Sequence, residues 1–308
     1  MRQEIQNLIS EQLSSWDLAK QNYSALGQVR MKSITVGNCT YRIQFNPARI
    51  LSSSAKVDTH SIKERKCFLC PANLPEVQKG SPFGNRYQLL VNPYPIFPKH
   101  LTIPDRTHTD QRIAGRFTDM LELAEEAKDF VIFYNGPRCG ASAPDHAHFQ
   151  AGNKGFLPIE QEWKTLEKEE ITAIEGGCLW QLNDSPRNTL IIEATEKEAA
   201  NTLFERVYHS MNRLPGEEEP MMNIVGWKED ARWIFCIFPR SKHRPSCYTA
   251  EGEKNLLISP ASVDMGGVFI VPQEKDFDKI TAKEIAEILE EVCLSSTEYA
   301  ELKQSTLI

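Results

Sequence analysis

Apolar residues recur at helical spacing over residues 4–20. Ile5, Leu8, Ile9, Leu13 and Trp16 fall on one face and predict an amphipathic first helix. Residues 32–36 and 41–45 then read as strands, and the polar, mixed stretch 52–66 as an exposed loop. Residues 86–92 and 101–104 read as strands on either side of a proline-rich segment that begins at Asn92. Ile113, Phe117, Met120, Leu121, Ala124 and Ala127 mark a helix after a turn at Thr109-Asp110. The apolar run 130–134 has strand length, and another helix is predicted near 158–170.

The second half continues in the same style. Thr195 and Glu198 have the spacing of a capping box before Ala199, Leu203, Val207 and Met211. Residues 215–220 read as a solvated turn, and 222–227, 233–238 and 268–271 as strands. Thr281 and Glu284 cap a last helix that carries Ile285, Ile288, Leu289 and Val292. A faint echo links the halves. Arg86-Tyr87 reaches Pro93 through an apolar strand, and Arg232-Trp233 reaches Pro239 likewise; Lys99-His100 and Lys242-His243 trail them.

A chain of 308 residues can hold one large domain or two smaller ones. A net charge of −7 argues against a nucleic-acid partner but not against a mononucleotide, which needs only a local positive pocket. The first residues have no apolar signal core, and no apolar run reaches membrane-spanning length. Neither a membrane partner nor secretion is expected. The eight cysteines are scattered, which predicts reduced thiols in a cytoplasmic protein.

The densest chemistry lies at 135–150. A turn rich in Gly, Pro and Ser follows the 130–134 strand, and His146, His148 and Gln150 come next at alternate positions. On a strand these three share one face, with Phe149 and Ala151 on the other. A neutral imidazole is a nucleophile near neutral pH, and a loop of small residues can bring backbone N–H groups close to an anion. Two histidines at this spacing are equally compatible with a metal site or a satisfied polar face. Cys67-Phe68-Leu69-Cys70 is a single C-x-x-C. It can be two buried thiols, a redox pair or half of a zinc site. The redox reading lacks a thioredoxin-like β-α-β pattern, and the zinc reading needs histidines to complete four ligands.

Gly140-Ala141-Ser142, followed by His146-Ala147-His148-Phe149-Gln150, resembles the histidine-triad superfamily, in the branch of the galactose-1-phosphate uridylyltransferases, diadenosine tetraphosphate phosphorylases and GDP-hexose phosphorylases. The resemblance implies an α+β fold of two histidine-triad-like halves, with antiparallel sheets flanked by helices. Residues 1–175 would form the catalytic half and 176–308 a non-catalytic half. It implies that His148 is a covalent nucleophile, supported by His146 and Gln150. Asn135, Gly140, Ala141, Ser142 and Asn92 would contact substrate. The basic loop Ile237 to Pro245, above all Arg240 and Lys242, would clamp a phosphate. Arg86 and Lys99 are further polar candidates. A structural zinc ion would sit on Cys67, Cys70, His146 and His108, with His100 competing for the last place.

The expected substrates are a nucleotide sugar or a dinucleotide, with inorganic phosphate or a sugar phosphate as acceptor. Ala147 and Phe149 favour a phosphorylase over a hexose-1-phosphate uridylyltransferase. A metal-dependent nucleotide hydrolase and a non-catalytic nucleotide-binding protein are the alternatives from other classes. Relatives are often dimers, so a homodimer is a further expectation.

Overall fold

The computed structural model describes residues 1–50 and 57–307. In chain order these form α1 (Arg2–Ser15), α2 (Asp17–Ala25), the hairpin β1 (Arg30–Val36) and β2 (Cys39–Phe45), and α3 (Thr59–Glu64). Then come β3 (Gly80–Phe83), β4 (Tyr87–Val91), β5 (His100–Pro104), α4 (Phe117–Glu126), β6 (Phe130–Asn135) and β7 (His148–Asn153). The second half contributes α5 (Ile159–Thr165), β8 (Lys168–Ile174), β9 (Gly177–Leu182), β10 (Leu190–Ala194), α6 (Lys197–Ser210), β11 (Met222–Glu229) and β12 (Arg232–Pro239). The chain ends with α7 (Ser262–Met265), β13 (Val268–Val271), α8 (Glu274–Lys279), α9 (Ala282–Val292) and α10 (Ser296–Ser305). Among the described residues no helix is long and apolar enough to cross a membrane.

Ten strands make one antiparallel sheet in the order β3-β4-β5-β7-β6-β11-β12-β10-β9-β8. The second five strands repeat the arrangement of the first five from the opposite edge. In each set a helix, α4 or α6, joins the third strand to the fourth. The topology therefore matches β4 with β9 and β7 with β12. The echo between Arg86 and Arg232 joins β4 to β12, which hold different places in the two sets, so it does not mark equivalent positions.

The faces of the sheet have different fates. One is covered by helices: α4 and α6 bring Phe117 and Phe204 into a stack at 4.0 Å, and α1 adds Ile5, Leu8 and Ile9. Phe149 and Ala151 of β7 and Phe235 and Ile237 of β12 point into this core. On the opposite face, β12 presents Ile234, Cys236 and Phe238. There the small sheet β1-β2-β13 lies over them with Tyr41, Ile43 and Phe269. The same face of β7 carries His148 and Gln150 and lines an open cleft. One half of the sheet thus packs this face shut, and the other keeps it for chemistry.

Several local expectations change. The first helix breaks at buried Trp16, whose backbone is extended (φ −117°, ψ 101°), and resumes as α2. Of the loop expected over 52–66, residues 52–56 lie outside the described residues, while 59–64 are helical and capped by Asp58, which accepts from the Ser61 N–H at 2.9 Å. Thr195 does not cap α6; its hydroxyl donates to the Gly176 carbonyl instead. The box at Thr281 and Glu284 does form, but α9 is followed by α10. The turn at 215–220 is not wholly solvated. Glu219 is buried and accepts from the Ile113 N–H (2.7 Å), Tyr134 OH (2.8 Å) and Tyr208 OH (3.1 Å). The pattern of apolar and polar positions predicts neither β3 nor β8–β10. β8 shows why: its charged, half-exposed surface lies at the sheet edge, and a bulge at Glu170–Thr172 breaks its alternation.

Candidate active site and metal cluster

The site grows from the point where β6 and β7 part. Their pairing ends at Phe133 with Gln150, so Asn135 and His148 lie beyond the ladder. The carboxamide of Gln111 fills the gap. Its Oε1 accepts from the His148 N–H at 2.7 Å, and its Nε2 donates to the carbonyls of His148 (3.0 Å) and Asn135 (2.9 Å). Gln111 is fully buried and had no signal in the sequence beyond its polarity. The released strand ends are bridged by the loop through Gly140. That residue has φ +91°, and a Cβ there would meet the Ala261 Cβ at 2.5 Å, so glycine is required.

His148 is buried, and its Nδ1–H donates to the His146 carbonyl at 2.8 Å. That bond leaves the Nε2 lone pair for the cleft. Burial pushes the His148 pKa down to about 4, so the ring is neutral and nucleophilic near pH 7. The cleft has a volume of about 480 Å³. Asn92, Asn135, Gly140, Ala141, Ser142 and Gln150 line it with His148. The second half adds His243, Arg244, Ser259, Ala261 and Asp264; an apolar wall comes from Trp16, Phe68, Leu69 and Leu74.

His146 faces away from the cleft and joins Cys67, Cys70 and His108, with the four donor atoms within 4.8 Å of one another. The His146 Nε2–H donates to the Asp105 carbonyl at 2.7 Å, which leaves Nδ1 as the inward lone pair. Nδ1 of His146 lies 3.2 Å from Cys67 Sγ, 3.6 Å from Cys70 Sγ and 3.2 Å from His108 Nδ1. Tetrahedral ligation by sulfur and nitrogen at ~2.0–2.3 Å places donors roughly 3.3–3.8 Å apart, close to these separations. Two thiols and two imidazole nitrogens converge on one point, so the residues fit a divalent metal. His100 lies elsewhere. Its Nδ1 accepts from the Ile96 N–H and its Nε2 faces Gln150 Oε1 at 3.0 Å, so His108 rather than His100 belongs to the cluster.

The basic loop after β12 enters the site differently from the expectation. Arg240 is buried, and all five of its N–H donors are used inside the protein. Nε donates to the Val292 carbonyl, Nη1 to Asn223 Oδ1 and the Pro260 carbonyl, and Nη2 to the carbonyls of Lys242 and His243. No donor is left for a phosphate. Lys242 is exposed and paired with Glu291 away from the cleft. His243 and Arg244 are the members of this loop that reach the cleft. Arg86 is held by Asp105 and Asp119, and neither it nor Lys99 lines the cleft. Asn223 was also missed, although a polar residue in the apolar run of β11 is a visible signal.

Residues 8–153 match a domain of unknown function (DUF4922), and residues 163–307 match the GDPGP1-like C-terminal domain. Protein APA1 of Saccharomyces cerevisiae is 24% identical over 234 residues, 66% of this chain and 67% of the yeast protein. The crystal structure of yeast Ap4A phosphorylase Apa2 superposes with a TM-score of 0.56 at 16% identity, covering 90% of this chain and 93% of that one. Apa2 in complex with Ap4A gives 0.55 at 15%, covering 91% and 97%. These structures share the fold. The match to the GDPGP1-like C-terminal domain and the fold shared with Apa2 agree with the resemblance to the histidine-triad uridylyltransferase and phosphorylase branch.

Proposed function

We propose that this chain is a nucleotidyltransferase that works through a covalent nucleotidyl-histidine on His148, as a phosphorylase of a nucleotide sugar or a dinucleoside polyphosphate. The observation that carries the reading is the His148 ring, neutral and buried, with Nδ1–H committed to the His146 carbonyl and Nε2 turned to the cleft. In the first step Nε2 forms a P–N bond to the α-phosphorus of the substrate. The P–O bond to the leaving phosphate breaks, and the leaving group keeps that electron pair. The imidazolium that forms is stabilised through its Nδ1–H by the His146 carbonyl. In the second step an oxygen of inorganic phosphate attacks from the vacated side. The P–N bond breaks, a nucleoside diphosphate leaves, and His148 is neutral again.

Ser142, Gln150 and the Asn135 amide border the place of the reacting phosphoryl group. His243 and Arg244 replace Arg240 and Lys242 as candidates for the acceptor. Zinc on Cys67, Cys70, His108 and His146 would be structural, since four protein ligands leave no open position for water. It would hold the backbone whose His146 carbonyl orients the nucleophile. Residues 1–175 carry the chemistry, and 176–308 supply scaffold and one wall. Yeast Apa2, whose fold is shared, is an Ap4A phosphorylase crystallised with Ap4A, which supports a dinucleotide or a related substrate. A cytoplasmic setting suits the eight free cysteines.

The test is product identity across GDP-, UDP- and ADP-hexoses and dinucleoside polyphosphates, each with phosphate, with galactose 1-phosphate and with neither. Release of a nucleoside diphosphate only with phosphate, abolished in a folded His148→Ala protein, is the expected outcome. Exchange that needs the hexose phosphate makes it a uridylyltransferase instead. Turnover by His148→Ala overturns the covalent mechanism.

A further inference from the structure

Two carboxamides face the cleft beside His148, and each is held by its oxygen end. Gln150 Oε1 meets the His100 ring at 3.0 Å. Asn135 Oδ1 accepts from the Ser262 N–H at 2.8 Å and from Asn223 Nδ2 at 3.0 Å, with Ser262 Oγ at 2.6 Å. Among the described residues nothing engages the NH2 end of either amide, and both residues line the cleft. The two ends of a carboxamide are alike in shape, so orientation must come from what surrounds it.

Each orientation can be traced to a group that can only donate. The Ile96 N–H donates to His100 Nδ1 at 3.1 Å. That bond puts the ring proton on Nε2, and Nε2–H then demands the oxygen of Gln150. Burial pushes His100 down to about 3, so a second ring proton does not intervene. On the other side, the Arg240 guanidinium has no acceptor and donates to Asn223 Oδ1 at 2.7 Å. Asn223 Nδ2 is thereby turned toward two acceptors, the Cys139 carbonyl at 2.7 Å and Asn135 Oδ1. The Ser262 N–H reinforces the same choice at Asn135.

We propose that His100 and Arg240 are positioning residues that fix the polarity of a donor-only cradle for the reacting phosphoryl group. His100 acts through Gln150, and Arg240 acts through Asn223 and Asn135. Neither touches the substrate. Both amides present N–H groups to oxygens that gain charge as His148 attacks, and neither can present its carbonyl oxygen, which would repel them. The role deepens the reading of His148 as a nucleotidylated nucleophile and rests on it. It also gives work to a buried arginine and a buried histidine that the chemistry itself does not use.

The experiment is a pair of double-mutant cycles on the rate of nucleotidyl-histidine formation in single turnover. His100→Phe keeps the ring shape and removes the donor. Asn223→Asp keeps the shape, accepts from Arg240 and cannot donate to Asn135. Each should slow adduct formation about 10–100-fold at saturating nucleotide, with a smaller change in the half-saturating concentration. In the Gln150→Ala background, His100→Phe should cost nothing further; in the Asn135→Ala background, neither should Asn223→Asp. Additive losses in both cycles would mean general structural damage and overturn the proposal.

A second measurement does not depend on turnover. In 15N-labelled protein the side-chain NH2 signals of Asn135 and Gln150 should shift when inorganic phosphate is titrated in, and in the single variants the corresponding signal should no longer respond. Unshifted NH2 signals in the parent would remove the cradle. If the parent forms no adduct with any nucleotide yet both NH2 signals respond to phosphate, the covalent reading fails and the polarity of the cradle stands.

Discussion

Gln111→Leu isolates the wedge that opens the site. The substitution keeps the bulk of the side chain and deletes three buried hydrogen bonds of 2.7, 2.9 and 3.0 Å. It leaves the His148 N–H and the carbonyls of His148 and Asn135 without these partners. An orphaned buried polar group costs about 1–3 kcal/mol. The three groups are neighbours and share relaxation, so the sum is held to roughly 3–6 kcal/mol. For a domain of several hundred residues that is a fall of roughly 6–15 °C in Tm. Without the wedge, β6 and β7 can extend their ladder past the Phe133–Gln150 pair, which would shift His148 from the position that presents its ring to the cleft. Adduct formation should therefore fall at least tenfold even well below the new Tm. The assay pairs thermal unfolding by circular dichroism with single-turnover adduct formation at a temperature where the variant is fully folded. A Tm within 1 °C of the parent, or a normal adduct rate, would refute the idea that Gln111 stands in for missing strand pairing.

Cys67→Ser should lower bound zinc from about one per chain to near zero in protein purified without chelator or metal-affinity resin, and should lower Tm; elemental analysis and calorimetry check both. His100 sets a pH signature. Its folded pKa of about 3 lies below the ordinary 6.5, so below pH 6.5 the unfolded chain takes up a proton that the folded chain refuses. Its contribution is fully present above pH 6.5 and is lost at up to ~1.4 kcal/mol per pH unit as pH falls toward 3. His100→Phe should flatten the fall in stability between pH 6.5 and 4.5 in urea titrations; an unchanged slope would mean that His100 is not neutral in the fold. Arg240→Met should cost more than about 3 kcal/mol, because a carboxamide and four carbonyls lose a donor. Lys242→Ala, at an exposed ion pair, should cost less than about 1 kcal/mol in the same unfolding assay.

The line between what was legible and what was not follows the range of the interactions. Period and turn chemistry are local, so the hairpin β1–β2, the strands β4–β7, the helices α4 and α9 and the segment 135–150 could be read from neighbouring residues. The alternation of His148 and Gln150 with Phe149 and Ala151 was enough to separate a cleft-facing side from a packed one, whereas His146, expected on the same face, precedes β7 and turns to Cys67, Cys70 and His108. The C-x-x-C likewise announced half of a donor set. Which histidine completes that set could not be read, because His100 and His108 are both histidines after prolines, and only β5 decides that one turns to Gln150 and the other to Cys70. Arg240 looked like a phosphate clamp because a run of basic residues says nothing about which carbonyls will surround it. Gln111, Asn223 and Ser262 act through a few hydrogen bonds each, some to residues more than 80 positions away. Such bonds have no periodicity and leave no mark on the chain around them. Sequence alone picked out the candidate nucleophile and the strand that bears it. Tertiary structure decided the direction of every hydrogen bond around it, since that depends on which distant donor or acceptor is brought within 3 Å.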